Sequence, residues 1–340
     1  MKYRFLGNSG LLVSQFALGS WVTFADPKTV DTAYDIMACG FKHGINFWDT
    51  AEGYGSGVAE SVLGQVLQRG IADGVWTRED LVISTKLFMG TRDGPNAKGL
   101  SRKHLIEGIH ASRKRLQVDY VDVLFCHRPD AHTPIEETVR AMNFIINQGW
   151  AFYWGTSEWL SSEILEACEV ADRLGLIRPI CEQPEYNVFE RSRVEMDYVN
   201  LYKKYNLGLT TWSPLKFGLL TGKYVNGVPE GSRLSREYYF GLLKGEFEQK
   251  AQQIEQLRPI AAELDCSLAH LALAWCSLNP NVSSVLLGAS NVSQLEDNLK
   301  VLEVIPKLTP EIKARIEDII KCEHKAPEHD RFATIRSQYL

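Results

Sequence analysis

Four side chains that could pass a proton between them stand close to where three consecutive apolar runs stop. Asp49 follows Asn46-Phe47-Trp48, Lys86 follows residues 81–85, and His127 follows residues 121–126. Tyr54 lies five residues beyond Asp49, in the loop Thr50-Ala51-Glu52-Gly53-Tyr54-Gly55. A phenol with an ordinary pKa of about 10 is a poor acid at neutral pH. An adjacent ammonium favours its ionised form and eases proton donation, and a carboxylate can hold that ammonium in place. The set therefore reads as a proton-transfer group. One Asp, Lys or His at a strand end is as well explained by a local hydrogen bond, but three on successive runs are less easily dismissed. Metal chemistry is not expected, because His127-Arg128-Pro129-Asp130 has no second His at ligand spacing. His110 and His132 read as surface residues.

The elements that must carry these residues alternate along the chain. Short, nearly continuous apolar runs at residues 15–18, 45–48, 81–85, 121–126, 152–155, 179–182, 208–212 and 284–287 read as strands buried on both faces. Amphipathic patterns separate them, including residues 29–43, 101–116, 134–148, 161–174 and 191–205, with start signals at Ser101, Thr133-Pro134 and Ser161. Eight such units imply an α/β fold, a (β/α)8 TIM barrel, whose active site lies at the C-terminal ends of the strands. Six strands would have suited a doubly wound open sheet equally well. The expected organisation is one domain over residues 1–340. Within it, residues 1–13 form an N-terminal hairpin turning at Gly7-Asn8-Ser9-Gly10, residues 14–321 the barrel and residues 322–340 a tail. A polar insertion near residues 223–245 is expected to cover something, and the tail, without a periodic apolar face, to be mobile.

Composition narrows the partners. The 340 residues are 45% hydrophobic and 23% charged, as in ordinary globular proteins, and the net charge of −5 gives no general attraction to nucleic acid. There is no apolar leader after Met1-Lys2-Tyr3-Arg4 and no run near the ~20 apolar residues of a membrane span. A cytoplasmic protein without direct membrane insertion is expected. The seven cysteines are scattered, never spaced C-x-x-C, and read as reduced, buried small hydrophobes.

Several strings carry a resemblance. Asn46-Phe47-Trp48-Asp49-Thr50-Ala51-Glu52-Gly53-Tyr54-Gly55, Ser84-Thr85-Lys86 and Trp154-Gly155-Thr156-Ser157 resemble the aldo-keto reductase superfamily, NADPH-dependent (β/α)8 barrels that reduce aldehydes and ketones. More narrowly, Gly99-Leu100-Ser101-Arg102-Lys103-His104, Cys181-Glu182-Gln183-Pro184-Glu185-Tyr186-Asn187 and Ser283-Ser284-Val285-Leu286-Leu287-Gly288-Ala289-Ser290 are similar to the β subunits of voltage-gated potassium channels. The resemblance puts the catalytic tetrad on Asp49, Tyr54, Lys86 and His127. Animal channel β subunits typically carry Asn at the fourth position, so His127 favours a competent reductase.

The same resemblance implies NADP(H) as cofactor. Ser157 and Gln183 would hold the carboxamide, and Trp212 would stack on the nicotinamide. Ser213, Pro214, Leu215, Gly218, Leu219, Gly222 and Lys223 would follow the pyrophosphate, with Arg233 of the insertion closing over it. Ser290, Gln294 and Asn298 would meet the adenosine half, and Ser20, Trp21, Asp49 and Gly288 complete the set. Spacing agrees in one place: Gly288-Ala289-Ser290-Asn291 joins the eighth strand to a helix near Ser293, and barrel phosphate sites favour the loops after strands seven and eight. Gly53-x-Gly55-x-Gly57 lacks dinucleotide-fingerprint spacing. Glu158, where Asn or Arg is common, and Lys216-Phe217, in place of small residues, depart from the pattern and put cofactor affinity and pocket size in question. Trp21, Phe88, Trp159 and Phe217 could line an apolar carbonyl pocket. Two functions result: a reductase of small carbonyl compounds, or an auxiliary subunit of a potassium channel α subunit with its nucleotide as redox sensor. The second implies a homotetramer.

Overall fold

A computed structural model describes residues 1–340 except 22, 23, 242 and 244 and the side chain of residue 238. Two antiparallel strands come first, β1 (Tyr3–Phe5) and β2 (Leu12–Ser14). The next eight are parallel: β3 (Phe16–Gly19), β4 (Phe47–Asp49), β5 (Val82–Leu87), β6 (Val121–Cys126), β7 (Ala151–Thr156), β8 (Cys181–Glu182), β9 (Gly208–Thr211) and β10 (Val282–Leu287). Each pairs with the next in chain order and β10 closes on β3, which makes a (β/α)8 barrel of the TIM type. Around it run α1 (Val30–Lys42), α2 (Val58–Ala72), α3 (Arg102–Leu116), α4 (Ile135–Asn147), α5 (Ser161–Leu174), α6 (Val199–Tyr205), α7 (Glu237–Gly241), α8 (Phe247–Glu263), α9 (Leu268–Ser277) and α10 (Val292–Leu299).

All six residues of β5, of β6 and of β10 are buried, because helices cover one face and the barrel interior the other. The polar exception in β6, Asp122, has its partners built in: its carboxylate accepts from Ile83 N at 2.7 Å and pairs with Arg78 at 2.7 Å. The helices start as read. Ser101 caps α3 by accepting from His104 N at 3.2 Å, and Pro134 precedes the first residue of α4. The pattern over residues 191–205 is not one helix. A π-helical turn, Arg193–Asp197, comes first, with Tyr198 N–H reaching back to Arg193 O at 3.1 Å, and α6 follows.

The N-terminal hairpin seals one end of the barrel. Leu6 and Val13 are fully buried against Phe47, Val82, Val123, Phe125, Cys181 and Leu286. Each such burial contributes roughly 1.5–3 kcal/mol. Gly7 sits at φ +57 where a Cβ would lie 2.0 Å from Ile180 O, so only glycine fits. With that end closed, the cleft is left to the C-terminal ends of the strands.

Two expectations are corrected. The tail is not a free extension: Ala131 N donates to Ala333 O at 3.0 Å, Arg336 pairs with Asp130 at 2.9 Å, and His132 bonds Ser337 at 2.8 Å. Isolated polar anchors of this kind leave no hydrophobic periodicity. Of the cysteines, Cys126, Cys168, Cys181 and Cys276 are buried, but Cys39, Cys266 and Cys322 are only partly so; all seven are free thiols.

Candidate active site

β4 and β5 pair with Asp49 opposite Ser84, and strand alternation puts Lys86 on the same face as Ser84. Lys86 is therefore inside β5 rather than beyond it, because pairing of Lys86 with Phe125 and of Leu87 with Cys126 prolongs the strand. Ser84 Oγ donates to Asp49 Oδ1 at 2.6 Å while Lys86 Nζ ion-pairs with Oδ2. The same ammonium donates to Thr50 O at 2.8 Å and lies 3.3 Å from the Tyr54 hydroxyl. All three of its donors are thus used inside a site from which Lys86 has no exposed surface. Tyr54 enters on a turn whose Gly55, Ser56 and Gly57 have φ of 56°, 52° and 93°. His127 N–H donates to Leu87 O at 3.0 Å, and its ring meets that of Tyr54 edge-on with centroids 5.6 Å apart. His127 Nδ1 is buried with no hydrogen-bond partner among the described residues.

The protonation states follow from these surroundings. Desolvation pushes the Tyr54 phenol above its ordinary value, and the Lys86 charge opposes this only in part. Tyr54 is thus a protonated phenol at neutral pH, as at its ordinary value, with Lys86 placed to ease its ionisation. Burial also works against the Lys86 charge, but Asp49 and Tyr54 outweigh it and hold the ammonium above its ordinary value. Burial, with Arg128 and Lys86, drives His127 well below its ordinary value, so its imidazole is neutral. The site thus offers an un-ionised O–H backed by a fixed cation, beside a neutral ring N that can donate one hydrogen bond.

One support was not legible in the sequence. The buried Glu52 carboxylate accepts from Phe88 N at 2.7 Å and Gly90 N at 2.9 Å, and bonds His104 Nε2 at 2.9 Å. It ties the loop carrying Tyr54 to the one after Lys86 and to α3. Its partners lie 36 or more residues away, so no local motif signals it.

Most of the expected cofactor positions lie on the segments that follow the barrel strands. The buried hydroxyls of Ser20 and Ser213 have no hydrogen-bond partner among the described residues, which suits a polar ligand. Ser157 Oγ donates to Gln183 O at 2.9 Å, and Gln183 Nε2 makes only long contacts, 3.3 Å to Asp49 and 3.2 Å to Thr210. Trp212 is partly buried and meets Trp21 edge-on at 6.2 Å. Pro214 is buried, and Leu215 and Gly218 partly so. A Cβ on Gly218 would lie 3.3 Å from Lys223 Nζ, which puts that cation over the loop. The described part of the insertion covers the mouth: Tyr239 of α7 packs on Trp21 at 5.8 Å and Phe217 at 5.7 Å, and Arg233 lies over Tyr239 at 5.9 Å. Ser290 donates to Gln294 Oε1 from its N–H and hydroxyl at 2.9 and 2.8 Å, beside the exposed Gly288 and half-buried Asn298. The unpartnered hydroxyls of Ser20 and Ser213 and the cations of Lys223 and Arg233 are of the kinds that could hold a phosphorylated dinucleotide.

A sequence model of the Aldo/keto reductase family matches residues 15–321. The chain belongs to the aldo/keto reductase family. Two curated relatives, each named "Probable voltage-gated potassium channel subunit beta", come from Arabidopsis thaliana and from Oryza sativa subsp. japonica. They are 53% and 52% identical over 333 residues, 97% of this chain and 100% of either relative. As an aldo/keto reductase the protein is an oxidoreductase of small molecules, of a family that binds NAD(P)H. Among the described residues of this aldo/keto reductase no helix is long and apolar enough to cross a membrane.

The departures also have physical accounts. The Lys216 ammonium is buried between Glu185 at 2.9 Å and Glu190 at 3.0 Å, so its charge is spent within the protein. Phe217 joins Trp21, Trp212 and Tyr239 in one aromatic cluster at the mouth. Phe88 and Trp159 are buried, at 0% and 1% exposed, while Tyr239 packs beside Trp21. Glu182, after Cys181 in β8, is a buried carboxyl that desolvation pushes up to about 8.

Proposed function

We propose that this aldo/keto reductase reduces aldehydes and ketones with NADPH, with Tyr54 as the proton donor. The observation that carries the reading is the Lys86 ammonium shared between Asp49, Thr50 O and the Tyr54 hydroxyl. A bound dihydronicotinamide supplies the hydride. Tyr54 presents its hydroxyl proton to the carbonyl oxygen as charge develops there, and Lys86 stabilises the phenolate left behind. Asp49, held by Ser84, keeps the ammonium in place. Neutral His127 donates a hydrogen bond to the same oxygen and orients the carbonyl. The aromatic cluster of Trp21, Phe217 and Tyr239 narrows the mouth and excludes water, which suits small aromatic aldehydes.

NADPH consumption with a panel of aldehydes, nitrobenzaldehydes included, tests the reading. Lys223, Arg233, Ser290 and Gln294 are the donors for a 2′-phosphate and its neighbours. NADPH is therefore expected to bind more than about tenfold tighter than NADH in fluorescence titrations, and Arg233→Ala to weaken NADPH selectively. Comparable affinity for the two nucleotides would remove the NADP assignment.

The relatives' names favour a second, compatible reading, an auxiliary subunit of a potassium channel. A fourfold partner calls for a cyclic ring of four chains, one head-to-tail interface repeated four times. Light scattering should then give four copies of the 38.4 kDa chain, about 154 kDa. A concentration-independent monomer mass would remove the ring and leave the reductase intact, since Asp49, Tyr54, Lys86 and His127 come from one chain.

A further inference from the structure

We propose that Glu158 is a positioning residue that locks the plane of the Trp212 indole at the barrel mouth. Trp212 follows β9, and its backbone is pinned by a bridge to Glu185 and by donation to Pro184 O at 3.1 Å. The backbone does not set the ring, whose two side-chain torsions are free unless contacts choose them. Trp21 and Phe217 meet the indole edge-on or tilted, at 6.2 and 6.5 Å, and leave its plane to a directional contact. That contact is the indole N–H donating to Glu158 Oε1 at 2.9 Å.

The acceptor is itself held. Glu158 Oε1 also accepts from Glu185 N at 2.6 Å, and Oε2 ion-pairs with Arg193 on the π-helical turn. Three elements therefore converge on the carboxylate that the loop after β7 carries: the segment after β8, the segment after β9 and the turn before α6. Glu158 has φ of 60°, a left-handed conformation that is unfavourable for a residue bearing a side chain. In this conformation the carboxylate meets both the Trp212 indole N–H and Glu185 N. Arg193 offsets the charge, so the indole meets a charge-assisted acceptor without an uncompensated anion beside it. The π-turn, which breaks the regular helix expected over residues 191–205, is what carries Arg193 to Glu158.

The consequence rests on the reading of this cleft as a nicotinamide-cofactor site: a ring stacked on Trp212 takes its orientation from the indole, so Glu158 acts on the cofactor through Trp212. Two measurements separate the lock from that reading. In the protein without nucleotide, the Trp212 signal is the difference between the wild-type and Trp212→Phe fluorescence spectra. Glu158→Ala should raise the acrylamide quenching of that component at least about twofold, whereas Glu158→Gln, which keeps an acceptor oxygen, should leave it near wild type. Unchanged quenching in Glu158→Ala overturns the lock whether or not nucleotide binds. With NADPH, followed by the nucleotide's own fluorescence, Glu158→Ala should weaken binding about tenfold in the wild-type background and less than twofold in Trp212→Phe. Equal weakening in both backgrounds would show that Glu158 does not act through the indole and overturns the proposal. If no nucleotide binds the wild-type protein, the cofactor reading fails and the quenching result alone decides the lock.

Discussion

Replacing Tyr54 by Phe is expected to lower kcat for aldehyde reduction at least about a hundredfold while leaving NADPH affinity within about twofold, because general acid catalysis is worth roughly 10²–10⁴-fold. The change deletes only the hydroxyl. The ring keeps its contacts with Trp21 at 6.4 Å and His127 at 5.6 Å, so the aromatic wall of the cleft stays in place. What disappears is the one un-ionised O–H beside Lys86. His127 is no substitute: it can donate a hydrogen bond, but burial makes its imidazolium too costly to form for proton storage at neutral pH. Steady-state rates and a parallel NADPH titration check the result, and turnover equal to wild type would remove Tyr54 from the mechanism.

Lys86→Met should do more damage, to activity and stability together. Met fills much of the volume of the lysine stem but removes the ammonium. Asp49, with a side chain only 4% exposed, then keeps Ser84 at 2.6 Å but loses its counter-ion, and Thr50 O loses its donor. Breaking a buried pair from one side typically costs about 3–5 kcal/mol. The turnover should fall by about as much as in Tyr54→Phe or further, since the phenolate formed on proton transfer would have no cation beside it. The pH dependence has a definite sign. Lys86 is held above its ordinary 10.5, so its contribution is fully present below that value and is lost only as pH rises through the higher folded value. The stability gap between wild type and variant, from urea unfolding, should therefore be flat between about pH 6 and 9. A variant as stable as wild type would show that the Asp49–Lys86 pair is not buried as described.

Much of the architecture was legible because parallel strands covered on both faces leave a strong local signature. All eight apolar runs became barrel strands, and Asp49, Lys86 and His127 were recognised at their C-terminal ends from position alone. Where the reading slipped, long-range pairing had decided the outcome. The run at residues 179–182 is reduced to a two-residue strand by its pairing with β7 and β9, and Lys86 is taken into β5 by its pairing with β6.

By itself, the sequence determined the barrel and the family and singled out Asp49, Tyr54, Lys86 and His127 as candidates, since apolar periodicity and short motifs are local properties of the chain. Tertiary structure decided what those residues are. Burial holds the Tyr54 phenol above its ordinary value and makes His127 a neutral imidazole, which no spacing reveals. Glu52 clamps the Tyr54 loop through His104, and Glu158 reaches Trp212 across 54 residues of chain. Both carboxylates look like ordinary loop residues until barrel closure brings their donors within hydrogen-bonding distance, because side-chain partnership is set by three-dimensional proximity and desolvation.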